Sequence, residues 1–221
     1  MDIRFQPNNT HLENAANFAK TDPHLKRLYA EKYVFHSQLI KEMPRSEQGI
    51  LTLGGGRQIG KTTLLKQWME DLLEQGTLPN AICFFSGELI GDYQSFYHLI
   101  QQQLTQMPSD GLKYIIVDEV TYIEQWDKTV KYLAEIGALE NVILVLSGSD
   151  LVLMQDARKR FPGRRGKAPK VDFHYYPLSF SEFLKLKNAF PVDIHESSIS
   201  VGVLDTLYAE FDEYLIPSDP I

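Results

Sequence analysis

Gly55-Gly56-Arg57-Gln58-Ile59-Gly60-Lys61-Thr62 decides how this chain is read. It fills every fixed position of G-x-x-x-x-G-K-[ST], and its flanks are those the pattern requires. Ile50 to Leu53 upstream is a short apolar strand. Lys61 to Leu73 downstream is a helix in which Leu64, Leu65, Trp68, Met69, Leu72 and Leu73 recur on one face, with Gly76 as its stop. Gly55 and Gly60 let the backbone turn tightly and approach a ligand, so that amide groups at the helix start can surround phosphate oxygens. A lysine in the first helical turn opposes the helix dipole unless an anion meets it. The stretch therefore predicts a phosphate cradle built from residues 55 to 63, that is Gly55, Gly56, Arg57, Gln58, Ile59, Gly60, Lys61, Thr62 and Thr63. Lys61 is expected against the β- and γ-phosphates and the Thr62 hydroxyl on Mg²⁺. A chance Gly-rich turn is the competing reading, and the strand and helix around the motif speak against it.

Such a site needs a carboxylate for the metal at the end of a neighbouring strand, and Tyr114-Ile115-Ile116-Val117-Asp118-Glu119 supplies it. Asp118 is expected as the metal carboxylate. Glu119 is expected to polarise a water for attack on the γ-phosphate, although a protein that passes the phosphoryl group to another acceptor needs no such base. Val142 to Leu146 is a further continuous apolar strand that ends in Ser147-Gly148-Ser149. Ser147 is placed to orient the water or touch the γ-phosphate, while Ser149 or Asp150 can equally cap the next helix.

Outward from these motifs the chain alternates apolar strands with helical patterns. Ala81 to Phe85 and Val171 to Tyr176 complete a set of five strand candidates. Tyr93 to Met107, Trp126 to Ile136, Asp150 to Arg158, Ser181 to Leu186 and Val201 to Tyr214 read as helices. Strands joined by crossover helices give an α/β fold, a three-layer sandwich around a mostly parallel five-stranded sheet. Residues 1–49 are polar and loop-rich, a lead-in with one short helix near His24 to Lys32. Residues 50–190 form the phosphate-loop core and 191–221 a C-terminal helical segment.

The 221 residues carry 43% hydrophobic and 23% charged side chains, enough apolar material for one sizeable core. Cys83, the one cysteine, lies in an apolar strand and reads as a small buried residue, which fits a reducing cytoplasm. No signal-peptide pattern opens the chain, and its most apolar later stretch, Val142 to Met154, is interrupted by Ser147 to Asp150, so a membrane partner is not expected. None of the six histidines has a partner at metal-ligand spacing, which leaves a protein-held zinc without support. Tyr33 and Phe35 can stack on adenine or simply pack. The net charge of −7 is at odds with a whole-surface attraction to nucleic acid. It makes the basic stretch 158–170 stand out, with Arg158, Lys159, Arg160, Arg164, Arg165, Lys167 and Lys170. An arginine reaching the transferred phosphoryl group, Arg164 or Arg165, is one reading; a nucleic-acid contact and a solvated charge run are others.

Four segments resemble the AAA-type ATP-binding proteins of bacteria and archaea that carry a C-terminal nuclease-like domain. They are Asp22-Pro23-His24-Leu25-Lys26-Arg27-Leu28, the phosphate loop through Thr63, the strand ending Asp118-Glu119, and Leu146-Ser147-Gly148-Ser149. Gly163-Arg164 and Pro177-Leu178-Ser179-Phe180-Ser181-Glu182-Phe183-Leu184 look like that family's arginine motif and the helix after it. The resemblance implies a P-loop ATPase sheet of the additional-strand, AAA-like type, in which the Ser147 strand separates the acidic strand from the phosphate-loop strand. Gly56 stands where the family usually has proline. Relatives are expected to continue beyond Phe211 to Pro217 into a winged helix and the nuclease-like domain.

The expected function is Mg²⁺-dependent ATP binding and hydrolysis that changes contacts to a partner, by self-association or with another protein. A nucleotide-gated binding module without turnover is the alternative. A small-molecule phosphotransferase ranks behind both, since Asp118-Glu119 favours water as acceptor, and no guanine-recognition motif of the N-K-x-D kind follows the acidic strand.

Overall fold

The computed structural model describes residues 1–150, 154–156, 159, 161, 166, 168–187, 210, 211 and 214. Five strands, β1 (Gly49–Gly55), β2 (Ile82–Ser86), β3 (Lys113–Asp118), β4 (Val142–Gly148) and β5 (Asp172–Tyr175), form one sheet in the order β2-β3-β4-β1-β5. Every pairing is parallel. The acidic strand β3 is thus separated from the phosphate-loop strand β1 by β4 alone, as the resemblance implies.

Side chains alternate across a strand, and here both faces are buried, which is why these strands read as continuous apolar runs. On one face Leu51, Leu53, Ile82, Phe84, Ile116, Ile143 and Val145 pack with Leu64, Leu65, Trp68 and Leu72 of α4 (Lys61–Glu74). On the other, Ile50, Cys83, Phe85, Ile115, Val117 and Leu144 meet α5 (Tyr93–Gln106) and α6 (Trp126–Glu135) through Phe96, Ile100, Val130 and Leu133. Helix, sheet and helix give three layers. Cys83 is fully buried, and burial pushes its thiol well above the usual range. The helix Phe180–Leu186 starts with a capping box in which Ser179 and Glu182 bond each other's backbone.

Residues 1–49 do more than lead in. Short turns of helix, α1 (Phe18–Thr21), α2 (Pro23–Leu28) and α3 (Leu39–Glu42), follow a 3₁₀ turn at Ile3–Asn8. Phe5 joins the core on one sheet face; Phe18, Leu25, Ile40 and Met43 join the other. Asn9 pairs with Phe84 in both senses, its Nδ2 donating to the carbonyl at 2.8 Å and its Oδ1 accepting the amide at 2.7 Å.

A further tie is a buried ion pair. Lys66 of α4 and Asp22, both fully shielded, lie 2.9 Å apart. Lys66 also donates to the Asn8 carbonyl at 2.6 Å and sits 4.0 Å from the centre of the Phe84 ring. Asp22 Oδ1 caps α2 by accepting the amides of His24 and Leu25. Burial drives the Lys66 ammonium below its ordinary pKa, with Asp22 opposing that shift. Lys66→Met strands a buried carboxylate and is expected to lower the unfolding free energy by about 3–5 kcal/mol. The loss should shrink in the double variant with Asp22→Asn, as measured by urea denaturation.

His11 sets a pH limit on this fold. Its Nε2 lies 3.1 Å from the Ile82 carbonyl, and burial holds its pKa down to about 4. The native ring is therefore neutral where the unfolded ring, near 6.5, is already protonated. A depressed folded pKa gives stability that is present above 6.5 and lost as pH falls toward 4, on the order of 3 kcal/mol across the window. His11→Gln is expected to flatten the melting temperature between pH 6.5 and 4 relative to the parent.

Candidate functional site

The phosphate loop leaves the C-terminal end of β1 and returns as the first turn of α4. Gln58 and Gly60 both adopt left-handed backbone, with φ of 60° and 91°. At Gly55 a Cβ would lie 2.6 Å from the Tyr175 carbonyl and 2.8 Å from Ile59 Cδ1, so only glycine lets β5 and the loop close together. Ile59 folds beneath the loop, and Arg57 is exposed on its outer turn. Tyr175, to which the sequence alone gave no role, has its ring and hydroxyl about 3.9 Å from the position of a Gly60 Cβ.

The acidic residues arrive from β3. Thr62 Oγ1 donates to Asp118 Oδ2 at 2.6 Å, joining the first turn of α4 to the end of the strand. Asp118 Oδ1 accepts the Ser147 hydroxyl, and that same hydroxyl oxygen accepts the Glu119 amide at 3.1 Å. Ser147 is fully buried. It ties β4 to the acidic pair from below. Glu119 stands at φ 52°, a left-handed conformation that is costly for a residue with a side chain and is held by its surroundings. One of those surroundings is Gly87, just past β2, where a Cβ would lie 2.4 Å from the Glu119 carbonyl oxygen. Gly87 is a requirement that the linear sequence did not disclose, because it arises from two strand ends meeting.

Lys61, 4% exposed, donates to the carbonyls of Gly56 at 2.8 Å and Gly55 at 3.3 Å and to Ser149 Oγ at 2.6 Å. Its Nζ lies 3.3 Å from Glu119 Oε1. Ser149, read from the sequence only as a helix cap, thus belongs to the site.

A cleft of about 510 Å³ opens over the loop, bordered by Gln58, Gly60, Lys61, Thr62, Thr63 and Glu119 on one side and by His24, Arg27, Leu28 and Glu31 on the other. The second wall is α2 and its continuation, fixed there by the Asp22–Lys66 pair. Burial lowers the pKa of His24. Tyr33 and Phe35 are not among these lining residues, and Lys32 Nζ sits 5.0 Å from the Tyr33 ring centre. Arg164 and Arg165 lie outside the described residues. In the basic stretch, Lys170 pairs with Glu42 at 2.5 Å and Lys159 with Asp156 at 3.0 Å.

Among the described residues no group of three or more His, Cys, Asp and Glu is arranged to hold a metal. A magnesium ion that shares its shell with phosphates and water needs only one or two protein oxygens, and Thr62 Oγ1 beside Asp118 Oδ2 fits that demand. Also among the described residues, no helix is long and apolar enough to cross a membrane.

Comparison with known proteins adds the family. An uncharacterized protein of Haemophilus influenzae is 33% identical over 172 residues, which cover 75% of this chain and 38% of that protein. The uncharacterized protein MJ1637 of Methanocaldococcus jannaschii is 24% identical over 92% of this chain and 44% of its own length. The chain therefore spans about two fifths of the length of these relatives. Among solved structures, the ORC1 protein of Aeropyrum pernix in complex with DNA is similar at a TM-score of 0.47 with 14% identity, over 75% of this chain and 47% of that one. The family model described as AAA domain matches residues 47–184, which hold the phosphate loop, the acidic strand and the Ser147 strand. With that match and this sheet order, the chain belongs to the AAA domain family and carries its AAA-type, nucleotide-binding ATPase domain.

Proposed function

We propose that this domain binds ATP with Mg²⁺ and hydrolyses it, and that its nucleotide state alters contacts to a partner. The observation that carries the reading is the convergence of Lys61, Thr62, Asp118 and Glu119 at the mouth of one loop, with Thr62 and Asp118 joined at 2.6 Å. In this reading the loop amides and Lys61 bind the phosphates, Thr62 and Asp118 hold the metal, and Glu119 accepts the proton of the attacking water. The metal, when bound, neutralises charge on the phosphates. Ser147 positions both carboxyl-bearing residues through its single hydroxyl.

Arg164 is proposed to neutralise charge on the transferred group, in its own site or that of a second copy. The likeness to proteins with a C-terminal nuclease-like domain, and any partner reached through self-association, another protein or nucleic acid at 158–170, belong to the same proposal. If nucleic acid uses that stretch, Arg164→Ala with Arg165→Ala should reduce the salt dependence of duplex binding; an unchanged slope removes the stretch from consideration. The test of the activity itself is Mg²⁺-dependent release of phosphate from ATP by the purified chain. Release to water supports hydrolysis, transfer to a metabolite supports a phosphotransferase, and tight binding without release supports a gated module.

A further inference from the structure

The first two turns of α5 and α6 hold between them an open cleft of about 490 Å³ that shares no lining residue with the nucleotide cleft. α5 sets Tyr93 and Tyr97 one turn apart along one wall, and α6 sets Lys128 and Tyr132 one turn apart along the other. Between them Thr129 is buried, and its hydroxyl donates to the Tyr93 carbonyl at 2.6 Å, which pins the two helices together. The Tyr97 and Tyr132 ring centres lie 5.5 Å apart with their planes at 60°, a V-shaped slot, and Tyr132 is 51% exposed. Solvent-facing helix positions ordinarily carry charged or polar side chains; here three rings offer flat apolar faces with polar tips. The hydrogen bonding of the lining is one-sided. Among the described residues the Tyr97 and Tyr132 hydroxyls have no partner. Lys128 donates to Gln125 Oε1 at 2.7 Å and sits 6.0 Å from the Tyr93 ring centre, and no described carboxylate pairs with it. No lining residue carries a carboxylate, so the cleft presents donors and a positive charge.

That combination selects among the ligands an aromatic cleft can take. Single-stranded nucleic acid stacks on tyrosine but needs several cations along its phosphates, and this cleft has one lysine in a chain of net charge −7. An amphipathic helix has its carbonyls bonded within its own backbone and leaves the donors unanswered. A polyproline II segment has no internal hydrogen bonds, so its carbonyls point outward, and proline brings no N–H that needs an acceptor. Its rings pack against aromatic faces. We infer that the α5–α6 cleft is a docking site for an extended, proline-containing peptide segment of a partner protein, with prolines on Tyr97 and Tyr132 and an acidic side chain at Lys128. The site goes beyond the nucleotide reading and does not depend on it.

The test is fluorescence anisotropy of the full chain, without nucleotide, with a fluorescein-labelled peptide of repeated Pro-Pro-Glu-Pro units. Saturable binding is expected. Tyr132→Ala should weaken it about tenfold, as truncation of an aromatic anchor does, and Tyr97→Phe, which removes a hydroxyl alone, about fivefold. Lys128→Glu should weaken the same peptide about tenfold and tighten its Pro-Pro-Lys-Pro counterpart, a reversal that loss of folding cannot produce. The exposed position of Lys128 keeps this arm informative if the Tyr132→Ala chain does not fold. Absence of saturable binding by the parent would overturn the site. So would tighter binding of oligothymidylate, or of an alanine-based helical peptide of the same charge, than of the proline peptide. Affinity unchanged by both Tyr132→Ala and Lys128→Glu would place the peptide elsewhere and remove the cleft as its site.

Discussion

Lys61→Ala is expected to weaken ATP binding about 100-fold and to reduce phosphate release at least as much, because it removes a buried cation at the mouth of the loop. Two effects combine in that loss. The phosphates forfeit a charge-assisted contact in a poorly screened site, and Glu119, left without its cation at 3.3 Å, stays as an uncompensated negative charge facing an anionic ligand. Lys61→Arg should not restore function, since a planar guanidinium cannot reproduce a compact ammonium among the carbonyls of Gly55 and Gly56. Equilibrium binding and a phosphate-release assay, with thermal unfolding as the check on integrity, measure both. ATP bound as tightly by Lys61→Ala as by the parent would place the nucleotide elsewhere.

Glu119→Gln separates binding from chemistry. The amide keeps the shape of the carboxylate and can accept one of the two hydrogen bonds that Ser149 donates, yet it cannot accept a proton from water. Turnover is expected to fall about 10²- to 10⁴-fold while ATP remains bound. Asp118→Asn should behave differently, losing Mg²⁺ dependence together with turnover, because Asp118 is the residue joined to Thr62. A Glu119→Gln chain that releases phosphate at the parent rate would transfer the base role to another group or confine the site to binding.

The phosphate loop was legible because its chemistry is local: glycines, a lysine and a threonine at fixed spacing between a strand and a helix. The acidic pair was legible for a related reason, since a strand buried on both faces writes itself as an unbroken apolar run and Asp118-Glu119 ends one. The helices of the core appeared through their 3.6-residue repeat, and observed bounds such as Tyr93–Gln106 and Trp126–Glu135 differ from the expected ones by a single residue. The first 49 residues gave little away. Their buried side chains, Phe5, Phe18, Leu25, Ile40 and Met43, fall at irregular intervals in turns too short to show a period, and Asp22 and Lys66 look in sequence like ordinary surface charges.

By itself, then, the sequence determined the place of the loop between a strand and a helix, the acidic strand end and the class of fold, since each depends on residues close in the chain or on the repeat of one element. The tertiary structure alone decided what those residues face. It brought Ser147 of β4 and Ser149 just past it onto the acidic pair, set Gly87 against the backbone of Glu119, and used Asp22 and Lys66 to hang α2 over the cleft. These contacts join elements far apart in the chain, and the buried ones at Ser147, Asp22 and Lys66 are fixed by burial: a shielded charge or hydroxyl must find a partner, and only the folded sheet determines which one lies within reach.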